Sequence, residues 1–135
     1  MENVNPLISK IVLGFLNILF HVIHLLIIFF YLLGWIMPET RLAHYILALF
    51  ILFSWCVLGI FFGFGYCLIT DIQWKIKKKM GDDPGTEYYV KYMIDKVTGL
   101  NTNPNTVNVA TKRAYFGILI ISTTLFIRNY FFTIR

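Results

Sequence analysis

The chain has 135 residues, enough for one compact domain. Hydrophobic residues make up 58% and charged residues only 14%, against roughly a quarter charged in soluble domains, which excludes an ordinary soluble fold. The net charge of +5 is concentrated between apolar segments. It therefore fits anionic lipid headgroups, at about 1 kcal/mol per basic residue, better than nucleic acid, for which no aromatic-basic binding module is present.

Lys10 precedes an apolar run over residues 11–36. The apolar region of a cleaved signal is about 7–15 residues long and ends at a small-residue site. This run is longer and lacks that ending, so it reads as an uncleaved anchor and a first membrane span. It can cross a ~30 Å hydrocarbon core with some tilt. Tyr31 and Trp35 near its far end suit the interface. Met37-Pro38-Glu39-Thr40-Arg41 is a tight connection, because proline does not continue a helix, and it predicts an antiparallel hairpin with the next span.

The second span is expected over residues 42–69. Cys56 and Cys67 lie eleven residues apart on it, roughly 16 Å along a helix, and so cannot pair. They share a face with Gly59 and Gly63, whose spacing permits close helix approach. Thr70-Asp71-Ile72-Gln73 fits a capping box, so an interfacial helix is expected from there through Met80. On it Leu68, Ile72, Ile76 and Met80 form an apolar stripe, and Lys75, Lys77, Lys78 and Lys79 reach headgroups.

Gly81-Asp82-Asp83-Pro84-Gly85 is a turn cluster. A second short helix is expected over 86–97, with Tyr89 or Val90, Met93, Ile94 and Val97 as its apolar stripe and Gly99 closing its end. Residues 101–108, rich in Asn and Thr, read as a solvated loop. A third span over 114–134 is continuously apolar only to Ile127, so it crosses if Arg128 snorkels outward. The expectation is an all-α membrane protein, one domain over residues 1–135. It has spans at about 11–36, 42–69 and 114–134, and two short amphipathic helices within 70–113.

Nine of the twelve basic residues fall on one side of these spans: Lys10, Lys75, Lys77, Lys78, Lys79, Lys91, Lys96, Lys112 and Arg113. Arg41, Arg128 and Arg135 fall on the other. The positive-inside rule puts the N-terminus in the cytoplasm and the C-terminus outside an inner membrane.

Asn17, His21 and His24 follow an i, i+4, i+7 course on the first span. Counting back from the outer loop at about 1.5 Å per residue puts His21, His24, Cys56 and the Ser122-Thr123-Thr124 group near mid-bilayer. Polar residues there face the bundle interior and are functional candidates. One reading is interhelical hydrogen bonding by neutral imidazoles, worth about 0.6–2 kcal/mol per contact. The other is a cofactor site on His21 and His24, with haem, or with a metal ion that Cys56 would also bind. Haem requires facing histidines at similar depth. His44, one turn inside the outer boundary, differs from His24 by roughly 15 Å in height, so the pair would have to come from two copies. Zinc lacks its usual paired CxxC or HxxxH spacing. Neither a Gly-rich phosphate loop nor GxSxG occurs, and no carboxylate stands at membrane depth.

Gly65-Tyr66-Cys67-Leu68-Ile69-Thr70-Asp71-Ile72-Gln73-Trp74 resembles a motif of the small bacterial membrane proteins grouped as domain of unknown function 2784, in the form typical of Bacteroidota. Those carry something close to Gly-Tyr-Cys-Pro-Leu-Thr-Asp-Trp-His-Trp after a membrane helix, followed by a basic helix. His24, Gly34-Trp35, Arg41, His44, Ser54-Trp55, Leu58-Gly59, Gly63, Lys91-Tyr92, Asp95-Lys96 and Asn129-Tyr130 also fall where that family has similar residues. Leu68 replaces its usual proline, and Gln73 a frequent histidine, so a metal or proton role for that histidine is absent from this chain. The resemblance implies a multi-pass inner-membrane protein and supplies no activity.

The reading preferred from sequence is a non-catalytic accessory or scaffold subunit of a larger membrane complex, with no cofactor. Its contacts would be anionic lipid and other membrane subunits or a second copy, and not nucleic acid. Gly59, Gly63, Tyr66, Cys67, Trp74 and the four lysines of 75–79 are the expected contact residues. The alternatives are a haem- or metal-binding redox protein and an oligomeric ion or proton pathway lined by Asn17, His21 and His24.

Overall fold

The computed structural model describes residues 5–133. Among them are five α-helices and no strand. Helix α1 covers Pro6–Leu33. Asn5 caps it through its side-chain oxygen, which accepts from the Leu7 N–H at 3.0 Å, and Pro6 occupies the first turn, where its missing N–H costs nothing. Past Leu33 the chain turns, and two side chains satisfy the carbonyls there. Thr40 Oγ1 donates to the Gly34 carbonyl at 2.6 Å, and Arg41 Nε to that of Trp35 at 3.1 Å. The expected tight connection is a single 3-10 turn, Pro38–Thr40.

Helix α2, Arg41–Phe62, stops short of the expected Ile69. Gly63 at φ +98 and Gly65 at φ +93 take the chain out of the helix. A Cβ on Gly59 would stand 3.1 Å from Phe64 Cα. Gly59 therefore makes room for the chain's own reversal, while a Cβ on Gly63 would meet nothing within 4 Å. Helix α3, Leu68–Lys79, starts directly after Cys67. Thr70 and Gln73 thus lie inside it, and the expected capping box does not form.

The face that α3 buries also differs from the expected one. Thr70, Gln73, Trp74 and Lys77, at i, i+3, i+4 and i+7, turn inward together with Ile76, while Leu68 and Met80 are exposed. Lys77, expected among the headgroup lysines, is buried at 4% exposure. Helix α4, Tyr89–Thr98, follows its expected stripe only in part: Tyr89 is buried as expected, but Lys91 is buried too and Val97 is 77% exposed. Gly99 closes its end. Helix α5, Pro104–Phe132, begins inside the expected solvated loop, because Asn103 accepts from the Thr106 N–H at 3.1 Å and Pro104 sets the first turn. Ile134 and Arg135, the expected end of that span and its last basic residue, lie outside the described residues.

α2 packs along α5, and α1 along α3, with α4 against α5. Tyr31, Ala48 and Tyr115 form the core where α1, α2 and α5 meet. The Tyr31 hydroxyl donates to the Tyr115 carbonyl and the Tyr115 hydroxyl to that of Ala48, both at 2.7 Å. His44 is wholly enclosed. Its Nε2 faces the Tyr31 carbonyl at 2.7 Å and must carry the proton; Nδ1, at 3.0 Å from Ser122 Oγ, then accepts from that hydroxyl. Ser122 therefore stands level with His44 near the turn between α1 and α2, and not with His24. Residues Pro6–Leu33, Pro38–Phe62 and Pro104–Phe132 are each long and apolar enough to cross a membrane. This is an all-helical membrane protein.

Candidate functional site

The polar stripe of α1 is covered by α3 and α4, and not by α2 or α5. Tyr89 is the residue that ties them. Its hydroxyl lies 2.7 Å from His21 Nδ1, and its ring lies on that of His24 with centroids 3.7 Å apart and planes 11° apart. Burial, and then the neighbouring Tyr92 hydroxyl, push the Tyr89 phenol up to about 12. It stays neutral and can donate to His21, which leaves the imidazole proton on Nε2. Trp74 completes the aromatic wall, 6.0 Å from Tyr89 and edge-on to Tyr92 at 5.1 Å.

Around Tyr92 the surroundings become cationic. His21 stacks on its ring at 5.8 Å, and the ammonium groups of Lys77 and Lys96 stand 5.2 and 5.3 Å from its centre. Burial opposes the Lys77 charge, but its ion pair with Asp82 and its contact with the Tyr92 hydroxyl outweigh that and raise it. Burial likewise pushes Tyr92 up, and the two lysines more than reverse this and draw it down. His21, expected at mid-bilayer with His24 and Cys56, thus stands beside charged side chains.

Five buried side-chain atoms here have no hydrogen-bond partner: Asn17 Oδ1, His24 Nδ1, both amide atoms of Gln73 and Trp74 Nε1. Gln73 is entirely enclosed. Native proteins leave few such atoms, and each costs about 1–3 kcal/mol when nothing answers it. All five belong to α1 or α3, the two helices packed together.

His21, His24 and Trp74 are therefore brought together. Cys56 is not: it is exposed on α2, and among the described residues no three His, Cys, Asp or Glu side chains gather as a metal set. His44 has both ring nitrogens engaged. Tyr66 stacks on Phe62 at 4.5 Å, and Cys67 is half-buried at the start of α3. Lys75 pairs with Asp71 at 2.7 Å on the surface, and Lys78 and Lys79 are exposed. Sequence reasoning missed Gln73, Tyr89, Tyr92 and Lys96 as site residues. The signal available was the i, i+3, i+7 spacing of Tyr89, Tyr92 and Lys96, a polar aromatic face matching the α1 stripe.

The family described as Protein of Unknown function (DUF2784) matches residues 14–128, most of the chain and all of the site. No curated protein and no solved structure matches.

Proposed function

The chain belongs to the family described as Protein of Unknown function (DUF2784), and from its own residues we propose a non-catalytic membrane protein that holds a small uncharged polar ligand between α1, α3 and α4. The observation that carries this is the set of five partnerless buried atoms. Asn17 Oδ1 and Gln73 Oε1 can only accept, Gln73 Nε2 and Trp74 Nε1 can only donate, and His24 Nδ1 does either. A group that answers them presents both donors and acceptors and needs no charge, as an amide or a hydroxyl compound does. Catalysis is disfavoured because His21 Nδ1 is already committed to Tyr89.

Gln73→Leu separates a ligand site from a merely strained interior. Native mass spectrometry of the full chain in mild detergent is expected to show a bound small molecule that this substitution removes. A ligand-free wild type, with the leucine variant more stable, overturns the reading, since replacing an unanswered polar group by an apolar one is then favourable.

An accessory role in a larger inner-membrane assembly is supported by the outer flank of α2, where Phe50, Phe53, Ile60 and Phe61 are all exposed. With nine basic residues on one side against three on the other, the proposed orientation has the N-terminus cytoplasmic and the C-terminus external. A strictly monomeric species without partner at native expression would remove the accessory role and leave the ligand site standing.

A further inference from the structure

Tyr92 is shared by two cations and answered by a single carboxylate. Lys77 and Lys96 approach its ring at 5.2 and 5.3 Å, and Lys96 Nζ also donates to its hydroxyl at 3.0 Å. Asp82 neutralises Lys77 from an exposed turn, being 59% exposed itself. The other ion pairs among the described residues, Lys75 with Asp71 and Lys91 with Asp95, leave Lys96 out of any ion pair, and it shares with Lys77 the more distant charge of Asp82. Two ammonium groups drawn to one ring repel each other, and the third partner that removes this repulsion is an anion. The Tyr92 hydroxyl is used as an acceptor by Lys96, so its own proton is free to donate. Lys96 N–H and Tyr92 O–H thus offer two donors side by side, with buried Lys77 behind them as fixed charge.

We propose that Lys96, Tyr92 and Lys77 form a phosphate-binding site at the outer edge of the α3–α4 pair. Lys96 and Tyr92 would bond two phosphate oxygens, and Lys77, held by Asp82, would add charge without leaving its place. Lysine suits this as a compact point charge with rotatable donors. The setting also suits it: α3 and α4 connect two membrane-length helices, α2 and α5, and Lys96 is exposed on that connection. The phosphate can come from a lipid headgroup or from solution. It is a different site from the uncharged one beside Gln73, and the two can fail separately.

The test uses the full chain in nanodiscs of phosphatidylcholine with or without phosphatidylglycerol, released for native mass spectrometry. Wild type is expected to retain phosphatidylglycerol over phosphatidylcholine. Lys96→Gln should cut that excess about tenfold or more, the worth of a charge-assisted hydrogen bond. Lys79→Gln, which removes an equal charge elsewhere on the surface, should cut it no more than about fivefold. Lys96 is exposed, and an unchanged circular-dichroism melt keeps lost binding apart from misfolding. Tyr92→Phe, which keeps the ring and removes the donor, should weaken retention as well. Inorganic phosphate that displaces the lipid assigns the site to either source; failure to displace it, with the Lys96 effect intact, assigns it to the headgroup. Equal losses in the Lys96 and Lys79 variants, or no preference in wild type, overturn the proposal.

Discussion

The His24 imidazole lies flat on the Tyr89 ring, 3.7 Å between centroids, so one tyrosine on a ten-residue helix closes over the polar stripe of a membrane-length one. The same hydroxyl meets His21. A helix as short as α4 is marginal alone and takes its stability from such packing.

Two substitutions at Tyr89 divide these contributions. Tyr89→Phe keeps the stack and removes the bond to His21, for a loss of about 1 kcal/mol. Tyr89→Ala removes a buried ring and should cost about 3–5 kcal/mol. Thermal unfolding in mild detergent measures the total, and amide exchange across 89–98 localises it. Equal small losses would mean that α4 is held by something other than Tyr89.

Ser122 is expected to matter through His44. In Ser122→Ala the enclosed Nδ1 loses its only donor, and leaving a buried acceptor unanswered costs about 1–3 kcal/mol. The average interhelical bond in membranes is worth about 0.6 kcal/mol, so the enclosure of His44 decides which figure applies. Thr124→Ala is the control, since Thr124 Oγ1 only returns to the Ile120 carbonyl of its own helix. A melting shift no larger for Ser122→Ala than for Thr124→Ala would show that His44 finds another donor.

The three spans and both short helices are legible in the sequence because length, glycine and lysine placement report them directly, but the break expected near Thr70 falls earlier, between Phe62 and Leu68. Which way α3 faces is not. Its Leu68, Ile72, Ile76 and Met80 stripe predicts burial in lipid, yet Thr70, Gln73, Trp74 and Lys77 turn inward. Hydrophobic periodicity assumes an apolar partner; here α3 packs against α1, whose stripe carries Asn17, His21 and His24, and it encloses polar side chains there, several without a hydrogen-bond partner. Depth counting failed at Ser122 for a different reason. It takes the outer end of α5 to lie level with the turn between α1 and α2, whereas Ser122 already meets His44 near the start of α2 and α5 runs on past it to Phe132.

Acid should loosen the loop after α4 before it reaches the spans. Asp95 bonds Lys91 and also accepts from the Thr102 N–H at 2.9 Å and the Thr102 hydroxyl at 2.7 Å. Lys91 first, then Thr102, hold its carboxyl down at about 2, against 3.8 ordinarily. A depressed folded-state value means the stabilisation is complete above about pH 4 and is lost as pH falls toward 2. Hydrogen exchange of the Thr102 amide should accelerate, beyond the intrinsic trend, over that window. In Asp95→Asn the excess acceleration should vanish; its persistence there would assign the effect to another group.

Gly65 and Lys112 should be energetically coupled, whereas Gly63 and Lys112 should not. A Cβ on Gly65 would stand 2.7 Å from Lys112 Cε and 3.2 Å from its Nζ, and the Lys112 ammonium sits 5.4 Å from the Phe64 ring centre. Gly65→Ala therefore carries two costs. A left-handed backbone at φ +93 costs about 1–2 kcal/mol for a residue with a Cβ, and displacing Lys112 from Phe64 forfeits about 0.5–1 kcal/mol. Gly63, at φ +98 and ψ 143 in open space, carries a backbone cost of its own and no clash with Lys112. In a Lys112→Ala background the Gly65 penalty should fall by about 0.5–1 kcal/mol, the part that Lys112 contributes, while the Gly63 penalty should not change. A double-mutant cycle on melting temperature measures both. Coupling of Lys112 to Gly63 as strong as to Gly65 would mean that the reversal after α2 moves as one unit, and that Gly65 is not there to let Lys112 pass.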